Sequence, residues 1–370
     1  MSLLKDTKLL ALKLLESHHG ANGLGTDAYS SRLQMHPMAE GVFLRGVSDA
    51  VTSGILSRTK ALDWATESVQ RLAKTRTPFA DGYGWGLGFK HGTADASEPY
   101  LVTTAIVALG LRKFEQHFDS PPASLKADIQ SQRADAVSAM SSWMDPSLSC
   151  GGGHGTGLPF YSPRVLERVF NPIALAITEL VLFERENTGL SQREYGRYDR
   201  LIANQYISEV GWPYSAETNI VDLLHQTFII DSLQERGIAS LQAVKDTVLL
   251  FGTPFGHCDS AKVLSQSEPR TRLDQCVLRG GKWLRLKAKY ARVWSLGSYL
   301  QVLSNVQVND DVWKEDWSPL ARSVAREALD SWGRKTDPDW RYPRQYLFVA
   351  AGLLALVKRE RSAASSPAVN

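Results

Sequence analysis

Apolar positions along this chain fall into two kinds of helical stretch. One kind keeps a wet face: between Ser124 and Met144, Lys126, Asp128, Gln130, Gln132, Arg133 and Asp135 alternate with small and apolar residues. The other is apolar nearly all round, as in Tyr100-Leu101-Val102-Thr103-Thr104-Ala105-Ile106-Val107-Ala108-Leu109, which carries no charge. A helix that is dry on every side has to be buried on every side. The spacing predicts about twelve helices, near 3–17, 41–56, 60–74, 99–116, 123–144, 168–186, 192–208, 219–235, 239–251, 291–305, 317–333 and 344–358. Dry helices starting near 41, 99, 168, 219, 291 and 344 form an inner ring, and wetter ones starting near 3, 60, 123, 192, 239 and 317 wrap it. Alternation at period two is nearly absent, so no central sheet is expected. Glu179 and Asp222 interrupt dry helices, and each needs a partner.

An aromatic turn recurs before the dry helices. Its copies are Gly82-Tyr83-Gly84-Trp85-Gly86, Leu158-Pro159-Phe160-Tyr161-Ser162-Pro163, Gly211-Trp212-Pro213-Tyr214-Ser215 and Asp339-Trp340-Arg341-Tyr342-Pro343. In a double ring these turns gather at one end, around a cavity. The segments 18–40, 75–98, 145–164 and 252–290 exceed ordinary connectors, and long loops on one rim form a binding surface.

These features resemble the α-toroid, or (α/α)6-barrel, superfamily. The resemblance is carried by Tyr83-x-Trp85-Gly86 before Pro99-Tyr100-Leu101-Val102-Thr103-Thr104-Ala105, by Phe160-Tyr161-Ser162-Pro163 before Val169-Phe170-Asn171-Pro172, and by Gly211-Trp212-Pro213-Tyr214-Ser215 before Val221-Asp222-Leu223-Leu224-His225-Gln226-Thr227. It spans about residues 80 to 358. More narrowly the chain looks like toroid proteins encoded in bacterial surface-polysaccharide gene clusters. The resemblance implies an all-α toroid, placed over 1–360, and the small, polar residues after it make 361–370 an expected flexible tail. The superfamily holds polysaccharide lyases, uronyl epimerases, glycoside hydrolases, terpene cyclases and protein prenyltransferases.

Composition narrows the picture. A net charge of +3 on 370 residues implies no nucleic-acid tail. The basic residues cluster only in Arg279, Lys282, Arg285, Lys287, Lys289 and Arg292, a solvated loop or a site for an anionic group. Three cysteines make no disulfide framework and fit a reducing compartment. No apolar run reaches the roughly 18 residues of a membrane span, and no signal peptide is evident, so a cytoplasmic protein is expected. No cofactor is expected, and the partner is a carbohydrate or other small molecule.

The strongest local chemistry is on one dry helix, where Asn219, Asp222 and His225 share a face. A carboxylate beside an imidazole fixes its tautomer and raises its basicity. Tyr214 and Tyr161 are the expected partners in proton transfer. His154, in the run Cys150-Gly151-Gly152-Gly153-His154-Gly155-Thr156-Gly157, is a further acid or base that lacks P-loop spacing. Expected substrate contacts are Tyr83, Trp85, Asn171, Trp212, Asn219, Trp340, Tyr342 and Arg344. Aromatic faces suit sugar rings and isoprenoid chains alike. Metal binding is not expected: His257-Cys258-Asp259 are adjacent and unsupported by zinc spacing. Asn309-Asp310-Asp311 lacks the acidic motif of class II terpene cyclases.

Asp81, Asp95, Glu98, Asp222 and Glu217 supply no evident catalytic pair for glycoside hydrolysis. Proton abstraction at a uronate needs a base, an acid and a cation, which His225, the tyrosines, and Arg344 or Arg164 would supply. The expected function is therefore a uronate lyase or C5-epimerase acting on a bacterial polysaccharide or its precursor. Glycoside hydrolysis, isoprenoid cyclisation and non-catalytic glycan binding are the alternatives.

Overall fold

The structure, a computed structural model, describes residues 2–118, 121–145, 158–188, 196–218, 220–238, 241–251, 275–279, 282–285, 293–305, 317–334 and 338–365. Twelve helices are described: α1 (Leu3–Gly20), α2 (Pro37–Thr52), α3 (Arg58–Thr75), α4 (Leu101–His117), α5 (Ala123–Met144), α6 (Phe170–Thr188), α7 (Gly196–Asn204), α8 (Leu223–Glu235), α9 (Leu241–Phe251), α10 (Val293–Asn305), α11 (Ser318–Arg334) and α12 (Pro343–Ser365). The even-numbered helices pack in a closed cycle, α2 on α4, then α6, α8, α10 and α12, which returns onto α2. The odd-numbered helices lie against the outside of that ring. The predicted inner and outer sets match this order. The last helix runs to Ser365, so the expected frayed tail is helical that far.

The alternation of dry and wet stretches is what produces two rings. In α2 the run from Pro37 to Leu44 is buried throughout, whereas α3 buries chiefly Ala61, Trp64, Ala65, Ser68, Val69 and Leu72. Charges inside the dry helices are paired. Glu179 of α6 takes Arg133 Nε of α5 at 2.5 Å and lies 3.5 Å from Arg112 Nε of α4. Glu40 of α2 accepts from Ser68 Oγ at 2.5 Å and Arg71 Nε at 2.9 Å, with His18 Nε2 at 3.2 Å. Each carboxylate ties an inner helix to the outer layer.

Two inner contacts are closer than side chains would allow. A Cβ on Gly110 would come within 3.0 Å of Gly41 O, and one on Gly352 within 3.0 Å of Gly297 O. Glycine faces glycine across α2–α4 and across α10–α12, so the backbones meet directly.

Among the described residues there are seven short strands that were not legible in the pattern. Strands β1 (Leu24–Asp27) and β2 (Ser30–Met35) form a hairpin, as do β3 (Arg76–Phe79) and β4 (Gly82–Trp85). Strands β5 (Ile220–Asp222), β6 (Gln275–Arg279) and β7 (Lys282–Arg285) form an antiparallel three-stranded sheet. Six lie in the long segments between helices, and β5 replaces the start of the helix predicted from 219, so that helix begins at Leu223 and Asp222 precedes it. Their ladders are local, and at three to six residues they are too short to show a period. Among the described residues no helix is long and apolar enough to cross a membrane.

Candidate active site

The site grows out of the turns that precede the inner helices. Helix N-termini leave backbone N–H groups unsatisfied, and here neighbouring turns satisfy them. Leu101 N, opening α4, donates to Tyr161 O at 3.1 Å, and Phe170 N, opening α6, donates to Tyr214 O at 3.4 Å. Tyr161 and Tyr214 are thereby each fixed to the helix one step back around the ring. Further links continue the rim: Tyr100 N donates to Trp85 O at 2.9 Å, and Ala216 N to Arg168 O at 3.1 Å. His36, before α2, bridges Leu87 O at 3.4 Å and Gly25 O at 3.3 Å.

Asp222 is the N-cap of α8, which starts one residue later. Its Oδ1 accepts from His225 N at 3.1 Å and lies 2.7 Å from His225 Nδ1. A proton on Nδ1 donates to that carboxylate, which leaves Nε2 as the lone-pair nitrogen. Nε2 has no hydrogen-bond partner among the described residues. The Tyr214 ring meets the imidazole edge-on, centroids 4.5 Å apart at 87°. Burial first, then Tyr161, Glu167, Asp222 and Tyr29, holds the Tyr214 phenol well above its ordinary pKa. Burial likewise raises Tyr161, against the pull of Arg344. Both phenols are therefore protonated at neutral pH. Tyr161 stands edge-on to the buried Tyr100, centroids 5.0 Å apart.

Glu167 joins this group, although no sequence signal singled it out. Its Oε1 accepts from Ser215 Oγ at 3.0 Å, and it pushes on both Tyr161 and Tyr214. Its place in a Pro-bounded turn between Tyr161 and α6 was the only available hint. Asn171, in the first turn of α6, is 2% exposed, and its Oδ1 has no partner among the described residues. His154 and Asn219, with the glycine run and His257-Cys258-Asp259, lie outside the described residues. Among the described residues no group of three or more His, Cys, Asp and Glu could hold a metal.

The tryptophans of the recurring turn do other work. Trp85 Nε1 donates to Leu72 O of α3 at 2.9 Å, Trp212 Nε1 to Ile202 O of α7 at 2.8 Å, and Trp340 Nε1 to Ser331 Oγ of α11 at 2.9 Å. In these three of the four copies the indole pins the turn to the preceding outer helix. Trp85 is fully buried, and Trp212 and Trp340 are 4% and 7% exposed. The expected substrate contacts at these three positions are thus corrected to structural staples. Tyr83 sits under the Arg76 guanidinium, 4.6 Å away, and Arg76 is ion-paired to Asp135 of outer helix α5. Tyr83 is thereby tied through Arg76 to outer helix α5. Tyr342 is half-buried directly before α12, with its carbonyl accepting from Gln345 N and Tyr346 N.

Arg344 was expected to clamp a substrate carboxylate. Its Nε and one terminal nitrogen donate instead to Asp27, at 3.0 and 3.1 Å, and its plane lies over Phe89 and Trp294. The other candidate clamp, Arg164, is exposed and pairs with Asp95 at 3.2 Å and Glu98 at 3.3 Å.

No family model and no curated protein matches the chain by sequence. Its shape is another matter. A GH76 α-mannanase from Bacteroides thetaiotaomicron superposes with a TM-score of 0.61 at 10% identity, covering 99% of this chain and 98% of that one. A sugar epimerase from a ruminal bacterium gives 0.57 at 13% identity over 97% and 99%. A type II terpene cyclase from Scytonema gives 0.54 at 11% identity over 98% and 99%. The chain is an (α/α)6 toroid. Identities this low carry the toroid fold and not the reaction. In the toroid the Asp222–His225 pair lies at the N-terminal end of inner helix α8, and Tyr161 and Tyr214 lie at the N-terminal ends of α4 and α6, to which their carbonyls are bonded.

Proposed function

We propose that this toroid is a carbohydrate-active enzyme that moves a proton at a sugar carbon. The observation that carries the reading is the Asp222–His225 pair, with Nδ1 engaged at 2.7 Å and Nε2 unspent beside a protonated Tyr214. His225 Nε2 takes the proton from a carbon next to a carbonyl, and the Tyr214 phenol donates to the carbonyl oxygen as negative charge develops there. Tyr161 returns a proton from the opposite face, which inverts the centre. Asp222 neutralises the imidazolium in between.

Neither of the two arginines expected to hold a uronate carboxylate is spare, which supports a neutral sugar over a uronate. A uronate carboxylate needs a spare cation, and Arg344 and Arg164 are both ion-paired to carboxylates. An epimerase-type reaction is therefore preferred to the uronate lyase expected from sequence. Hydrolysis is less supported, because the carboxylates near the tyrosines are engaged: Asp222 with His225, Glu167 with Ser215, and Glu98 with Ser162 and Arg164. The polar groups of the rim, Asn171, Glu167 and His225, suit hydroxyls better than an isoprenoid chain. Two of the superposing proteins are by name sugar-acting, an epimerase and an α-mannanase, in keeping with this reading.

The test is solvent exchange. Mannose, glucose and their β-linked disaccharides are incubated with the protein in deuterium oxide and followed by proton NMR. The expected result is loss of the proton beside the anomeric carbon, with appearance of the epimer. Release of new reducing ends without deuterium uptake would instead make the protein a hydrolase.

A further inference from the structure

The tip of the β1–β2 hairpin carries an aromatic ring where few are left in water. Tyr29 is 62% exposed, whereas Phe89 beneath it is 2% exposed. The two rings stack with centroids 5.3 Å apart at 19°, and His91 meets Tyr29 edge-on at 5.9 Å. One face of the phenol ring is thus covered by Phe89 and the other is open.

The tip is held firmly for so exposed a residue. Tyr29 N donates to Asp27 Oδ1 at 3.2 Å, which closes the turn. Asp27 is fixed in turn by both prongs of Arg344, from the first turn of α12. Gly25 leaves no room for a Cβ against Pro343, so the strand lies directly on the start of that helix. Exposure and rigidity together set Tyr29 apart from Leu33 on the same hairpin, which is 72% exposed and has no ring contact.

The platform connects with the reacting groups. His91 meets Tyr29 edge-on at 5.9 Å and Tyr100 at 6.5 Å, and Tyr100 in turn meets Tyr161 at 5.0 Å, so an unbroken run of rings joins the platform to the reacting tyrosines. Four residues after His91, Asp95 pairs with Arg164, and both side chains are exposed enough to offer an acceptor and a donor to hydroxyls. A preformed flat apolar face with polar groups at its edge is what a pyranose ring recognises.

We infer that the open face of Tyr29 is a stacking subsite for a second sugar ring, so that the substrate is an oligosaccharide rather than a free monosaccharide. This rests on the carbohydrate reading above and adds the length of the substrate to it.

The test measures binding by calorimetry for mannose, glucose and their β-linked oligomers of two to four residues. It uses the wild type, Tyr29→Ala and Tyr29→Phe, with thermal unfolding as a folding control. Wild-type affinity should rise from one residue to two or three. Tyr29→Ala should lose about three- to tenfold of that affinity for the oligomers while leaving monosaccharide binding unchanged. Tyr29→Phe keeps the ring and should keep the gain. An affinity that rises with length equally in Tyr29→Ala overturns the subsite and leaves the carbohydrate reading standing. Absence of binding by every sugar overturns both.

Discussion

Oδ1 of Asp222 serves two donors of one residue, the backbone N–H of His225 at 3.1 Å and its Nδ1 at 2.7 Å. A single oxygen thus caps α8 and sets the imidazole tautomer. Replacing His225 by Ala or Gln should lower turnover by about 10²–10⁴ without loss of helical circular dichroism. Asp222→Asn separates the two duties, because Asn caps a helix about as well as Asp. Its melting temperature should stay near wild type while turnover falls. Wild-type turnover in both His225 variants would make the residue structural.

The indole staples predict a stability effect with no binding effect. Trp212→Phe keeps a ring but removes the indole donor to Ile202 O, which still accepts from Gln205 N at 3.1 Å, so the cost should be about 0.5–1.5 kcal/mol. Urea unfolding should show that loss, and sugar affinity should not move. A loss of affinity at unchanged stability would return Trp212 to the site.

The rings were legible because burial on all sides leaves a mark in composition that no local accident imitates. The turn motif was legible as a repeat but not as a division of labour. Trp212 and Tyr214 are two residues apart; the first points under α7 and the second against His225. Which of two aromatic neighbours faces inward is set by the path of the turn, and the turn is set by Phe170 N reaching for Tyr214 O. The Arg344–Asp27 pair is harder still, since 317 residues separate partners that meet only when the ring closes. Gly41 and Gly110 read as ordinary helix-weakening glycines until the two backbones are seen to touch.

Those glycine contacts make a second stability prediction. Gly110→Ala and Gly352→Ala drive a methyl into the carbonyl of the facing helix and should each destabilise by about 1–3 kcal/mol, despite the better helix propensity of Ala. Gly20→Ala, with nothing within 4 Å, is the control and should be neutral or slightly stabilising. Equal melting temperatures for all three would mean the ring relaxes freely.

Stability should fall at both ends of the pH scale, for opposite reasons. Burial alone would raise Glu40, but His18 and Arg71 outweigh it and hold the carboxyl at about 2, against 4.5 ordinarily. That contribution is present above pH 4.5 and is lost as pH falls toward 2. Burial raises Tyr161, Tyr214 and Tyr346 above 10, so theirs is present below pH 10 and is lost as pH rises beyond it. Melting temperatures should form a plateau flanked by two declines. In Glu40→Gln the plateau should be lower and the acid-side decline shallower. A curve parallel to wild type on the acid side would show that Glu40 is not its source.

Arg344 offers the sharpest choice between two roles. As the anchor of Asp27, with side chains 7% and 0% exposed, it holds the hairpin that carries Tyr29. Arg344→Met leaves Asp27 buried without its cation and should cost about 3–5 kcal/mol. Arg344→Lys keeps the charge but not the two-pronged contact, so it should recover only part of that stability. The hairpin tip would also loosen, and oligosaccharide affinity should fall with the melting temperature. A clamp for a substrate carboxylate behaves otherwise. In that case Arg344→Lys would weaken binding of acidic sugars alone, neutral sugars would bind as before, and the melting temperature would not change. Measuring neutral and acidic sugars side by side with thermal unfolding therefore separates the anchor from the clamp, and the bidentate geometry at 3.0 and 3.1 Å predicts the anchor.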